Sequence, residues 1–241
     1  MFAMRRRLTP EMMDSPSVER GELEAALGYI RWVNRRMGGA RGLIRHLEKW
    51  SRRWPRDRAV TLLDVATGSA DVPIAARSWA RRRGFDLRVT AVDLHETTLE
   101  IAREQVRASG EGGGIEVLKS DALELVSVFG PESFDYVHAG MFLHHLSDLR
   151  ALTMLRIMDR LARRGIVWND LVRSRVYRGL LNVILVGQPE MVRHDARVSV
   201  EAGFTRWEVL DMARRLDLRY ARYGRVMGYR FTLAGERPGA W

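Results

Sequence analysis

The sequence contains no cysteine in 241 residues, which excludes disulfides, thiolate metal sites and a cysteine nucleophile. Lysine is almost missing too: Lys49 and Lys119 are the only two, so arginine carries the net charge of +10. Long apolar runs are lacking. The longest, "LLNVILV" from Leu180 to Val186, falls far short of the roughly 20 residues a membrane-spanning helix needs. The opening "MFAMRRRLTP" has basic residues without an apolar stretch behind them, so it does not read as a secretory signal. A cytoplasmic protein is expected, which suits the missing cysteine. What is present, 46% hydrophobic and 29% charged residues, is the composition of one folded domain with a helical extension.

The charge is uneven. Residues 1–58 carry 14 basic and 7 acidic side chains, residues 59–205 carry 18 and 19, and residues 206–241 carry 8 and 4. Basic ends of this kind can recruit nucleic acid, acidic lipid or an anionic substrate. A solvated arginine-rich helical surface accounts for the same counts.

Two amphipathic helices are expected near the N-terminus. In "ELEAALGYIRWVNRRMGG" the residues Leu23, Leu27, Ile30, Val33 and Met37 recur at helical spacing until Gly38-Gly39. Leu43, Leu47 and Trp50 mark a second helix, stopped at Trp54-Pro55. From Val60 strands and helices alternate. Strands are expected at "VTLLDVA", Leu87–Asp93, "IEVLKSD", Phe134–Gly140 and Gly165–Asp170. Helices are expected at Val72–Arg83, around Leu99, Ala102 and Val106, and after a cap at Ser147. This implies an α/β, doubly wound fold with a mostly parallel sheet. Further on, "SRVYRGLLNVILVG" reads as an apolar helix, "QPEMVRHDARVS" as irregular, and Thr205 to Glu208 as a capping box. The run "LRYARYGRVMGYRFTLAGE" reads as two antiparallel strands about a turn at Gly224, which makes the sheet seven-stranded.

Ligands of open parallel sheets bind beyond the carboxyl ends of the strands, where strand order reverses. The turn after the first strand, Asp64-Val65-Ala66-Thr67-Gly68-Ser69-Ala70-Asp71, occupies that place. Its small residues let a ligand approach the backbone, and the following helix offers free N–H groups to a carboxylate or phosphate. Alanine stands at 66 and 70, where a dinucleotide fingerprint has its outer glycines, and alanine disfavours positive φ. Asp93, at the end of the second strand, is placed to accept hydrogen bonds from ribose hydroxyls. Asp121 and Ala122 follow the third strand, where an adenine edge would lie. The fourth strand ends at Gly140 and Met141, and His144-His145 come next.

The series "LLDVATGSADVP", "VTAVDLHETTLEIARE", "SDALEL", "FDYVHAGMFLHHLSD" and "RGIVWNDL" resembles the successive motifs of class I S-adenosylmethionine-dependent methyltransferases. The nearest type is that of small-molecule and quinone-biosynthesis enzymes, over roughly residues 60–170. The resemblance implies a Rossmann-like domain, S-adenosyl-L-methionine as cofactor and methyl transfer as the activity. Asp64, Ala66, Thr67, Gly68 and Ala70 would line the methionine part of the cofactor. Asp93 would hold its ribose, Leu94 would cover the adenine, Asp121 and Ala122 would meet the adenine edge, and Gly140 and Met141 would flank the sulfonium. The N-terminal helices, residues 1–58, would form part of a lid. Residues 59–241 would form the methyltransferase domain, with an acceptor-pocket insertion at about 171–204.

Methyl transfer is an in-line displacement, so alignment supplies much of the rate. An oxygen acceptor must also lose a proton, a task suited to histidine at neutral pH. His194, Asp195 and His145 are the candidate catalytic residues. The first two lie in the segment after the fifth strand, and His145 lies nearest the expected methyl group. One of His144 and His145 is expected to face inward. His46 is expected at the surface, and His95 and His138 in structural roles. Asn169 and Asp170 either face the cleft or cap the next helix. Tyr29, Trp32 and Asn34 are candidates under the lid. No metal is expected, because no ligand cluster is visible. The expected partner is a small-molecule acceptor, phenolic or polyketide-like, methylated on oxygen. Three other readings stay open. One is an RNA methyltransferase, which would lack a recognised RNA-module motif. Another is a non-catalytic cofactor-binding member of the fold. The last is a nicotinamide-dependent reductase, which the missing glycines disfavour.

Overall fold

The computed structural model describes residues 4–15 and 17–239, so Met1–Ala3 of the basic opening lie outside the described residues. The strands are β1 (Val60–Val65), β2 (Leu87–Asp93), β3 (Ile115–Lys119), β4 (Phe134–Gly140), β5 (Ala162–Leu171), β6 (Arg222–Val226) and β7 (Arg230–Glu236). They form one seven-stranded sheet in the order β3-β2-β1-β4-β5-β7-β6. β1 to β5 run parallel, and β7 is antiparallel to both β5 and β6. Strand order reverses between β1 and β4, so a crevice opens beyond their carboxyl ends.

The helices are α1 (Arg20–Arg36), α2 (Gly39–Trp50), α3 (Asp71–Arg82), α4 (Glu96–Ser109), α5 (Leu125–Phe129), α6 (Asp148–Leu161), α7 (Arg175–Ile184), α8 (Glu190–Ala202) and α9 (Arg206–Arg215). Successive strand residues face opposite sides, and both sides are covered. Leu62 packs in one core with Leu43, Leu47 and Trp50 of α2 and Ala76 and Trp79 of α3. Its neighbour Leu63 packs in the other, with Met154, Leu155 and Met158 of α6 and Val209 of α9. Burial of a large apolar side chain contributes about 1.5–3 kcal/mol, so α2 is a layer of the fold in its own right.

The approach of α2 to the sheet depends on glycine. Gly38 turns the chain at φ 84° and Asn169 Nδ2 of β5 donates to the Gly39 carbonyl at 2.9 Å. A Cβ on Gly42 would lie 2.5 Å from that same Asn169 nitrogen.

Three sequence expectations need correction. The hairpin does not turn at Gly224, which sits inside β6 opposite Thr232. The reversal comes at Met227-Gly228, with φ 50° and 84°, and the bare Gly224 leaves room for the Arg45 guanidinium that donates to Thr232 Oγ1 at 2.6 Å. The segment read as irregular is mostly α8. Its buried face carries the polar Asp195 and Ser199 beside Met191, Val198 and Ala202, which blurred the apolar period. His46 is half-buried, not on the surface, with Nε2 3.0 Å from Thr232 Oγ1. The apolar helix α7 is formed but has no fully buried residue. Among the described residues, no helix is long and apolar enough to cross a membrane.

Two outcomes are expected. Gly42→Ala should destabilise the protein by about 1–3 kcal/mol through overpacking, read as a lower urea midpoint. Burial, with help from Arg45 and Lys49, depresses the His46 pKa from 6.5 to about 4. Above pH 6.5 the histidine is neutral in both folded and unfolded chains. Between 6.5 and 4 only the unfolded chain takes up the proton, so stability falls by about 2–3 kcal/mol over that window. The pH-dependence of the urea midpoint in His46→Gln should lack this contribution.

Candidate cofactor and acceptor site

After Val65 the chain turns through Ala66 (φ 53°), Gly68 (φ 57°) and Ala70 (φ 58°) before α3 begins. Glycine alone adopts such angles without cost, yet two of the three are alanine. The turn is pinned from beneath. Thr67 N–H donates to the Val92 carbonyl at 2.9 Å, the Thr67 hydroxyl to Asp64 Oδ2 at 2.6 Å, and Gly68 N–H to Asp93 Oδ2 at 3.0 Å. Asp64 Oδ1 is hydrogen-bonded to His138 Nδ1. Asp93 Oδ1 accepts from the N–H groups of Leu94 at 2.8 Å and His95 at 3.2 Å. Burial pushes the Asp93 pKa up, against the opposing pull of these donors.

The loop borders a cavity of about 720 Å³, within the ~300–1,000 Å³ usual for ligand sites. Asp64, Ala66, Thr67, Gly68, Asp93, Leu94, Asp121, Ala122, Gly140 and Met141 all lie on its wall. Ala70 does not. Its methyl is fully buried in the core that α2 and α3 share, so Ala70 shapes the turn from beneath. A Cβ on Gly68 would meet only Leu27 Cδ2, at 3.8 Å, and the loop's outer side is therefore open to a ligand.

Part of the wall is buried polar surface without partners. Arg230 Nη2 donates to Asn34 Oδ1 at 3.0 Å, but Arg230 Nε and Nη1, His138 Nε2 and Asn169 Oδ1 make no hydrogen bond. Buried polar atoms are normally paired, so these groups fit a ligand carrying both donors and acceptors, as the amino-acid end of S-adenosylmethionine does. Asp71 lies beside them, its pKa raised by burial against a hydrogen bond from Asn34. One arginine on a C-terminal strand of an arginine-rich chain gave no local signal for this role.

The 3-10 turns Met12–Asp14 and Leu143–His145, together with α8, build another part of the wall. Both histidines of the pair reach the cavity, where one was expected. His144 is buried, with Nδ1 2.7 Å from Asp170 Oδ1. Burial alone would lower its pKa, but Asp170 and Glu11 outweigh burial and raise it. His145 Nδ1 is 3.1 Å from Asp14 Oδ2. Glu11, buried, accepts from the Ser199 hydroxyl and places Oε1 3.5 Å from His144 Nε2 and 3.8 Å from His145 Nε2. Glu11 lies 133 residues before His144, so this ligand-type cluster had no visible spacing in the sequence.

His194 is not on the cavity wall. It is half-exposed on α8, with Nδ1 3.0 Å from Asp195 Oδ1. Asp195 is on the wall, and both its oxygens accept backbone N–H groups, from Met12 at 2.7 Å and Met13 at 3.1 Å. Asn169 and Asp170 bond to Gly39 and His144, and neither caps α7. Tyr29 and Asn34 line the cavity. Trp32 stacks on Tyr29 at 5.9 Å but is half-exposed.

Comparison with known proteins agrees with this geometry. Residues 62–165 match the family described as a methyltransferase domain. Over 103 residues the chain is 29% identical to the ubiquinone/menaquinone biosynthesis C-methyltransferase UbiE of Idiomarina loihiensis, a match covering 42% of this chain. It spans only 39% of that relative's length. A SAM-dependent methyltransferase from Aquifex aeolicus shares the fold, with 22% identity, TM-score 0.54 and coverage of 78% of this chain and 88% of that one. So does magnesium protoporphyrin IX methyltransferase from Synechocystis with bound SAH, with 14% identity, TM-score 0.57 and coverage of 90% and 97%. Residues 62–165 are thus a methyltransferase domain of the class I S-adenosylmethionine-dependent type. The chain is a distant homologue of the UbiE type, with S-adenosylmethionine as its cofactor.

The left-handed alanines give a further test. Relief of the αL cost of about 1–2 kcal/mol per residue, less the greater entropy loss of glycine, about 0.5–1 kcal/mol, leaves a small gain. Ala66→Gly, at the alanine whose methyl is not in the core, should raise the melting temperature by about 1–2 °C, read by calorimetry, without weakening S-adenosylhomocysteine binding.

Proposed function

We propose that this chain transfers the methyl group of S-adenosylmethionine to an oxygen of a small, phenolic or polyketide-like acceptor. The observation that carries the reading is one cavity that joins the loop at Ala66–Gly68 to the His144-His145 turn. Apolar residues of α1, α7 and α8, among them Leu27, Ile30, Leu181 and Val192, complete its wall. That wall suits an apolar ring and supports a small molecule over RNA. The same helices serve as the lid. A cytoplasmic location belongs to this proposal, supported by the absence of cysteine.

The cofactor, when bound, supplies an electrophilic methyl group on a sulfonium. Asp93 accepts hydrogen bonds from the ribose hydroxyls, Leu94 covers the adenine, and Asp121 with Ala122 borders its edge. Arg230 and Asn169 meet the amino-acid end. His145 takes the acceptor proton on Nε2, because Asp14 already holds Nδ1. His144 is engaged at Nδ1 by Asp170, so it steadies the turn and leaves proton removal to its neighbour. Asp195 is a positioning residue that fastens the turn carrying Asp14 to α8. A carbon acceptor is the second reading, favoured by the similarity to a C-methyltransferase.

Calorimetric titration with S-adenosylhomocysteine tests the cofactor site. The wild type should bind, and Asp93→Ala should bind about 10–100-fold more weakly, the worth of charge-assisted hydrogen bonds. On a phenolic acceptor that the wild type methylates, His145→Asn should lower kcat by about 10²–10⁴-fold, and His194→Ala should leave it within twofold. An absence of binding by the wild type would overturn the proposal. Full activity in His145→Asn would overturn the role of that residue.

A further inference from the structure

We propose that Glu11, His144 and His145 form a binding site for a divalent transition-metal ion, with Zn²⁺ as the reference metal. One ligand atom from each of the three residues lies within 4.8 Å of the other two. The carboxylate oxygen is 3.5 Å from one imidazole nitrogen and 3.8 Å from the other. These separations are too long for good hydrogen bonds. They match the spacing of ligands around zinc, since bonds of about 2.0–2.1 Å at tetrahedral angles put ligand atoms about 3.4 Å apart.

The outer contacts carry the argument further. Each histidine has its Nδ1 on a carboxylate, His144 on Asp170 at 2.7 Å and His145 on Asp14 at 3.1 Å. A carboxylate at Nδ1 takes the imidazole proton there and turns the Nε2 lone pair outward, the arrangement that metal-ligating histidines use. Here both Nε2 atoms turn toward the same carboxylate oxygen. His144 Nε2 is buried and makes no hydrogen bond. Two imidazole Nε2 atoms thus face one carboxylate oxygen, which otherwise accepts only the Ser199 hydroxyl, and a cation held among them would satisfy all three. Arg6 passes close by but donates to Asp148 and to the carbonyls of His144, Leu146 and Ala202, leaving the three ligand atoms free of it. Two nitrogens and one oxygen favour Zn²⁺, Fe²⁺, Co²⁺ or Mn²⁺ over Mg²⁺ or Ca²⁺.

Three protein ligands leave a fourth position, and the cluster lines the cavity. An acceptor hydroxyl bound there would lose its proton to solvent as the metal–oxygen bond forms, because a bound metal acidifies such a group. The oxygen then attacks the methyl carbon, the S–CH₃ bond breaks, and its electron pair stays on sulfur, with no change of oxidation state. This catalytic consequence rests on the methyl-transfer reading; the metal binding does not. If His145 instead acts alone as a base, methyl transfer needs no metal.

The test uses the full chain after treatment with a chelator. Zn²⁺ is titrated by calorimetry, and Co²⁺ is followed by its visible absorption. We expect one ion per chain, and binding at least 10-fold weaker in Glu11→Gln and in His145→Asn. Asp14→Asn should weaken it by about 10–100-fold through the outer contact. S-adenosylhomocysteine binding, measured on every variant, confirms that the fold and the cofactor site persist. Absence of one-to-one binding by the wild type, or binding that Glu11→Gln and His145→Asn both leave unchanged, would overturn the proposal. Methyl transfer that survives chelation would overturn the catalytic consequence and leave His145 as a base. Loss of cofactor binding in the wild type would instead strike at the methyltransferase reading.

Discussion

The carboxylate of Asp170 ties together the part of the cavity wall built around the His144-His145 turn. It is fully buried at the end of β5 and accepts from four donors: Trp168 Nε1, Leu171 N–H, His144 N–H and His144 Nδ1. A lone carboxylate in that position would cost several kcal/mol in lost hydration. With its oxygens satisfied, Asp170 joins β5 to the loop after β4 and fixes the His144 ring. Trp168, held at its indole nitrogen, in turn seats Phe204 and Phe231 edge-on against its rings. The packing of the C-terminal strands and the orientation of the histidine turn therefore depend on one charge.

The cofactor side is organised on the same plan, with carboxylates at strand ends holding loops by their N–H groups. Asp64 and Asp93 end or nearly end neighbouring parallel strands, and between them they fasten Thr67 and Gly68. The loop is thus held at left-handed angles even where alanine occupies them. Its shape follows from the hydrogen bonds beneath it more than from glycine content.

How much of this was legible in the sequence follows from the range of each interaction. The strands Leu87–Asp93 and Phe134–Gly140 were readable because each is a short apolar run bounded by turn residues. The capping box at Thr205 and Glu208 was readable because it spans four residues. Ala66 to Gly68 could be placed at the cavity because the strand–turn–helix order is local. Glu11, Asn34 and Arg230 were not legible. Their partners lie 188, 196 and 196 residues away, and no local pattern distinguishes them. Helix α8 was hidden for a related reason: Asp195 and Ser199 interrupt its apolar stripe in order to hold a distant turn. His194 looked well placed beside Asp195, but on a helix neighbouring residues point about 100° apart. Only Asp195 reaches the cavity wall.

The turn carrying Glu11 and Asp14 rests on α8 through hydrogen bonds from Met12 and Met13 to Asp195, and between Glu11 and Ser199. These contacts close a chain loop of more than 180 residues. Closure over that distance carries a large entropic cost and belongs late in folding. As the chain emerges from the ribosome, residues 11 to 14 have no docking surface until α8 has been made and placed. The cofactor loop and the strands around it can organise much earlier. The protein therefore acquires the turn at Ala66–Gly68 before the wall around Glu11, and a chain folded only as far as β5 would have the first without the second and without Arg230.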